Sequence, residues 1–179
     1  MAKANLLNYK LRREQFSDYE QINELLVAAF KGTEEVKIVT GVREGADYIN
    51  DLSLVAEQDG KLLGFIMLSY VLLKNDDADK RVLSLGPLAV LPEFQSQGIG
   101  GALIKESIRI ADDRRDPLIV LLGHPEYYPR FGFEKASARA IFPPVDWPDE
   151  DYMVHLLKEY NPAYHGKISY PPAWGITVD

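Results

Sequence analysis

Residues 85–111, LGPLAVLPEFQSQGIGGALIKESIRIA, carry a strand pattern into a glutamine- and glycine-rich turn, and that turn opens directly into an amphipathic helix. On a helical wheel Ile99, Leu103, Ile104, Ile108, Ile110 and Ala111 share one half, while Lys105, Glu106, Arg109 and Asp112 share the other. Three strand patterns in hairpin succession lead up to it, at residues 52–58, 61–73 and 81–91. Asp59-Gly60 is a two-residue hairpin signal between the first two, and polar residues 75–80 separate the second from the third. Pro87 donates no ladder hydrogen bond, so Gly86-Pro87 predicts a bulge or an open side in the third strand. This succession predicts an α/β (α+β) fold in which an antiparallel meander carries a helix on one face.

The flanking sequence fits that frame. Residues 9–13 read as a short strand. Ser17 and Glu20 form a capping-box pattern ahead of Ile22, Leu25, Leu26, Ala29 and Phe30, which recur at helical spacing. Residues 33–48 read as a weaker helix, limited by Gly41 and Gly45. Residues 117–122 form a short apolar strand of the kind buried on both faces. Residues 127–130 read as a single helical turn ended by Gly132, with a return to the sheet from Phe133. Further strands are expected at 152–157 and 167–170. With no repeat and no linker, the sequence predicts one domain over residues 1–179. Its core would be residues 9–135, and residues 136–179 would supply C-terminal strands of the same sheet. A chain of 179 residues buries roughly 70% of its unfolded surface, so it needs no metal or disulfide staple.

Composition removes several classes of function. The absence of cysteine excludes disulfide frameworks, thiolate metal sites and a cysteine nucleophile. The 27 acidic and 20 basic residues give a net charge of -7, against the basic balance of a duplex binder, so no nucleic-acid partner is expected. The longest apolar run, residues 62–73, is too short to span a bilayer and is broken by Gly64, Ser69 and Tyr70. The opening residues MAKANLLNYKLRRE lack a long apolar region and a small-residue cleavage site, so a cytoplasmic chain without a membrane partner is expected. His155 and His165 are isolated, and no metal site is expected. His124-Pro125-Glu126 lacks the downstream cysteines of a zinc deaminase. Ser84, Ser96 and Ser107 lack the context of a nucleophilic serine.

The glycine-rich turn has the physics of an anion site. The first N–H groups of a helix have no internal partner, and its dipole places about half a positive charge there. Glycines at 98, 100 and 101 let a phosphate approach the backbone closely. Neither Gly60-Lys61 nor Gly166-Lys167 is followed by Ser or Thr, so the Walker pattern fails. The dinucleotide pattern fails too, because Leu103 stands at its last glycine and antiparallel strands replace the βαβ context. From the glycines alone, a turn without any ligand is an equal reading.

Three further segments carry a resemblance. Gln95-Ser96-Gln97-Gly98-Ile99-Gly100 resembles the Q/R-x-x-G-x-G/A acyl-CoA pyrophosphate loop of the GNAT superfamily of N-acetyltransferases. Leu88-Ala89-Val90 followed by Pro92 resembles that family's fourth strand. Tyr127-Tyr128-Pro129-Arg130-Phe131-Gly132-Phe133 resembles its Y-x-x-x-G-F segment, in wording similar to a bacterial subgroup called YhbS-like. The resemblance covers residues 9–135. It implies a mixed, mostly antiparallel central sheet of about seven strands, flanked by helices and splayed between strands four and five. It also implies acetyl-CoA as cosubstrate and direct transfer to an amine acceptor in a ternary complex. By resemblance, Gln97, Gly98, Ile99, Gly100 and Gly101 offer N–H groups to the pyrophosphate, with Gln95 and Ser96 at the loop's start. Leu88, Ala89 and Val90 lie along the pantetheine arm, and the Leu88 N–H stabilises the oxyanion. Tyr128 donates to the departing thiolate. Two other readings share these residues: a non-catalytic acyl-CoA-binding regulatory module, and a transferase of another acyl group.

Ordinary ionisation sets limits on that chemistry. Thiol and phenol values make full proton transfer from tyrosine to thiolate uphill by about 2 kcal/mol, so Tyr128 acts mainly as a hydrogen-bond donor. Reaching a neutral lysine-like amine at pH 7 costs about 4–5 kcal/mol, which calls for a base or a water chain. Where some family members place a carboxylate, four residues before Leu88, this chain has Ser84. Glu93, Glu126 and His124 are the nearby alternatives. Phe30, Tyr48, Phe142, Trp147, Tyr152, Tyr164 and Trp174 either line an acceptor pocket or belong to the core. The charge of -7 leans toward a cationic acceptor, and a homodimer through the C-terminal strands fits the pattern.

Overall fold

A computed structural model describes residues 8–176. Nine strands form one sheet: β1 (Lys10–Arg13), β2 (Ser53–Gln58), β3 (Lys61–Lys74), β4 (Lys80–Val90), β5 (Leu118–Leu122), β6 (Glu134–Lys135), β7 (Ile141–Phe142), β8 (Tyr152–Leu156) and β9 (Gly166–Ser169). Their order is β1-β2-β3-β4-β5-β8-β6, with β9 paired to both β3 and β7. β4–β5 and β7–β9 are parallel, and the other pairings are antiparallel. Seven of these strands have four residues or more. Two-residue β6 and β7 account for the excess over the expected number.

Three helices cover the sheet: α1 (Tyr19–Phe30), α2 (Glu34–Glu44) and α3 (Ile99–Asp113). Side chains alternate across each strand, so each face of the sheet selects its own cover. Leu54, Leu83, Leu85, Ile119 and Leu121 face α3, where they bury Ile99, Leu103, Ile104 and Ala111. Val55, Phe65, Met67 and Ala89 face the other way, against Ile22, Leu25 and Leu26 of α1 and Val39 and Val42 of α2. Farther along that second face Val82, Val120 and Val154 pack on Ile141, Tyr152 and Ile168 of the C-terminal segment. β5 is apolar along its length because it serves both clusters.

The turn between β2 and β3 has left-handed Asp59 (φ 50°) and Gly60 (φ 81°), the conformation an Asp-Gly hairpin takes. The expected capping box at Ser17 and Glu20 is not formed. The reciprocal contact lies earlier, where the Gln15 N–H donates to Asp18 at 2.7 Å. Asp18 is also gripped by the Arg12 guanidinium at 2.7 and 2.9 Å. Charge-assisted bonds to an arginine outweigh a neutral serine cap, and Arg12 holds the Asp18 carboxyl below the usual range.

Candidate functional site

β4 and β5 pair only at Leu83–Ile119 and Ser84–Val120, and beyond Ser84 they part. On the other edge of β4, Leu85 stands opposite Leu68 and Leu88 opposite Ile66, so Gly86 and Pro87 both oppose Met67. This is the expected bulge. In the continuing register the Leu91 N–H donates to the Leu63 carbonyl at 2.9 Å. Hydrogen-bonded positions alternate along an antiparallel pair. Ala89 therefore turns its backbone polar groups toward β3, while Leu88 and Val90 turn theirs toward the opening. The Val90 carbonyl accepts from Gln95 Nε2 at 3.1 Å on that open side.

The chain then turns through Pro92–Phe94 and enters α3 by way of left-handed Gly98 (φ 87°). The first intrahelical bond runs from the Ala102 N–H to the Gly98 carbonyl at 3.0 Å. The N–H groups of Ile99, Gly100 and Gly101 precede it, at the positive end of the helix. A Cβ on Gly100 would stand 3.1 Å from the Tyr127 hydroxyl, and one on Gly101 3.2 Å from the Phe131 ring. Side chains there would fill the space between helix and facing turn.

That facing turn is Tyr128–Phe131, closed by left-handed Gly132 (φ 86°). Tyr127, Tyr128, Phe131 and Phe133 stack edge to face, with centroids 5.1–5.7 Å apart. The Tyr128 ring lies directly against Gly123, where a Cβ would collide with it. Burial pushes the Tyr128 phenol up to about 12, so it holds its proton at neutral pH. Its hydroxyl has no hydrogen-bond partner among the described residues.

Leu88, Val90, Gln95, Ser96, Gly98, Ile99, Gly100, Gly101 and Tyr128 line one cleft of about 1010 Å³. Ala89 is buried in the α1–α2 cluster instead, and the Gln97 amide bonds back to the Glu93 carbonyl at 3.1 Å. The cleft is also lined by Phe94, Ala102, Lys105, Tyr127, Arg130 and Phe131, which the sequence reading did not assign to it. Helical spacing could have found Lys105, one turn beyond Gly101. Of the alternative bases, exposed His124 lines the cleft, whereas Glu93 pairs with Lys61 at 3.2 Å. Ser84 is buried and donates to the Tyr170 hydroxyl at 3.2 Å, which lies 3.2 Å from the Tyr152 hydroxyl. Trp147, Tyr152 and Tyr164 belong to the C-terminal cluster, and Tyr48 and Trp174 to the α1–α2 cluster. Phe30 and Phe142 are exposed.

The model of the acetyltransferase (GNAT) domain matches residues 50–135. An uncharacterised N-acetyltransferase, YjhQ of Escherichia coli, is 34% identical over 135 residues, 75% of each chain. The chain belongs to the GNAT family of N-acetyltransferases. The fold agrees along nearly its whole length with the GNAT family N-acetyltransferase YhbS from Escherichia coli, solved in complex with CoA. That structure is 28% identical and covers 98% of this chain and 97% of its own, with a TM-score of 0.84. A GNAT family acetyltransferase from Brucella melitensis, solved with acetyl-CoA, is 32% identical over 93% of this chain and 98% of its own, with a TM-score of 0.76. Among the described residues no helix is long and apolar enough to cross a membrane, and no cluster of His, Asp and Glu has the form of a metal site.

Proposed function

We propose that this GNAT protein transfers the acetyl group of acetyl-CoA directly to a primary amine of a small molecule or peptide, both substrates being bound together. One observation carries the reading. A single cleft joins the free N–H groups of α3, the outward backbone edge of Leu88 and Val90, and the Tyr128 hydroxyl. The relatives solved with CoA and acetyl-CoA support acetyl-CoA as the donor.

In this reading the diphosphate sits on the amides of residues 98–101, and the pantetheine arm runs along Leu88 and Val90 as an added strand. The amine nitrogen attacks the thioester carbonyl carbon. The oxyanion that forms is held by the Leu88 N–H. The C–S bond then breaks, and Tyr128 donates a hydrogen bond to the leaving thiolate. With its phenol at about 12, full transfer to a thiol of ordinary pKa would be uphill by about 5 kcal/mol. Tyr128 therefore stabilises the thiolate, and water completes its protonation. The attacking nitrogen loses its proton to water in the open cleft beside exposed His124, and bulk solvent takes it up.

Ser84 in place of a carboxylate also favours a second reading, an acyl-CoA-binding module without turnover. Calorimetry with acetyl-CoA, beside CoA release over a panel of amines, separates the two. Transfer predicts saturable release with intersecting initial-velocity lines. Tight binding without release against any amine would establish the regulatory module, and parallel lines would overturn direct transfer.

A further inference from the structure

The cleft differs in charge from the chain around it. Acidic side chains outnumber basic ones 27 to 20 overall, yet none of the residues lining the cleft is Asp or Glu, and Lys105 and Arg130 both are cationic. These two stand on opposite walls. Lys105 lies on α3 one turn beyond Gly101 and on the same face. Arg130 lies on the aromatic turn and is held in place. Its Nε donates to the Tyr127 carbonyl at 2.9 Å, one terminal nitrogen donates to the Glu126 carbonyl at 3.3 Å, and its guanidinium lies 4.8 Å over the Tyr127 ring. Neither cation is paired with a carboxylate among the described residues. Arg109, one turn farther along α3, shows the contrast: Glu106 and Asp113 hold it at 2.7 and 2.6 Å.

This inference rests on acetyl-CoA being the donor. Main-chain N–H groups at the helix start already serve a diphosphate, and the thioester end lies toward Leu88 and Tyr128. Lys105 stands one helical turn beyond the amides that take the diphosphate, and Arg130 stands across the cleft on the turn that faces them. Coenzyme A carries one more anion, a phosphomonoester on the ribose 3′ oxygen. Such a group holds close to two negative charges at neutral pH and takes charge-assisted hydrogen bonds from ammonium and guanidinium groups. We propose that Lys105 and Arg130 bind this 3′-phosphate, so that the protein distinguishes coenzyme A from its 3′-dephospho form.

Calorimetry with coenzyme A and with 3′-dephospho-CoA tests this on the wild type, Lys105→Met and the Lys105→Met/Arg130→Gln double variant, with circular dichroism to show that each variant folds. The wild type is expected to bind the dephospho form about 10- to 100-fold more weakly. Lys105→Met alone, which leaves the turn untouched, should narrow that ratio. The double variant should bind both forms equally, near the wild-type affinity for the dephospho form. Equal wild-type affinities would overturn the proposal and leave acetyl-CoA as donor intact. Equal loss for both ligands would also overturn it, because the cations would then serve the shared diphosphate. Binding of neither ligand would overturn the proposal together with the donor reading.

Discussion

At Tyr128 local packing sets the ionisation of a side chain in the cleft. Its ring is laid against Gly123 and propped by Tyr127 and Phe133, and that burial raises the phenol to about 12. Burial disfavours the phenolate, so the donor form persists through the physiological range and is lost only above that value. Replacing Tyr128 with Phe is expected to lower kcat by roughly 100-fold while calorimetry shows acetyl-CoA affinity unchanged. The kcat of the wild type should also show no basic limb from Tyr128 below about pH 11. A kcat unchanged in Tyr128→Phe would remove the residue from the mechanism. The resemblance to the Y-x-x-x-G-F segment pointed to Tyr128, four residues before Gly132, and the fold brings it to the cleft. The Ser84–Tyr170 contact was not, because it joins residues 86 positions apart through the return of β9 to β3, which no local pattern announces.

Among the elements, the departure of β4 from β5 and the start of α3 together shape the cleft. The bulge was readable at Gly86-Pro87, where a missing donor interrupts the ladder, and the helix was readable from its apolar face. What was not readable is short and non-local. β7 has two residues and exists by pairing with β9 across more than twenty positions. The capping contact moved to Asp18 because Arg12 on β1 competes for it. The approach between α3 and the Tyr128–Phe131 turn is tight at Gly100 and Gly101, where an added Cβ would stand 3.1 and 3.2 Å from Tyr127 and Phe131. A valine at Gly100 should place its methyl groups against the Tyr127 hydroxyl and occupy the cleft. Calorimetry is expected to show at least a tenfold loss in acetyl-CoA affinity, and thermal melting a change within about 1–2 kcal/mol, since the position lies in the first turn of the helix. Unchanged affinity would mean that the donor does not enter between helix and turn.

Across the whole molecule, the sheet separates two environments. α3 and the aromatic turn bound a cleft without carboxylates on one side. α1, α2 and the C-terminal segment close the other, with Trp174 covering Gly86 and Tyr170 stacked on Trp174 at 4.9 Å. The chain's net charge is -7, yet the cleft is lined by Lys105 and Arg130 and by no carboxylate, so its local potential favours an anion. Composition displayed the overall charge but not this segregation, which depends on which side chains the fold brings to the cleft. A crystal structure of the complex tests most directly whether this cleft holds coenzyme A in one orientation. The diphosphate is expected within hydrogen-bonding distance of the main-chain amides of residues 98–101, and the sulfur beside the Leu88 N–H and the Tyr128 hydroxyl. Coenzyme A bound elsewhere, or with its sulfur pointing away from β4, would contradict it.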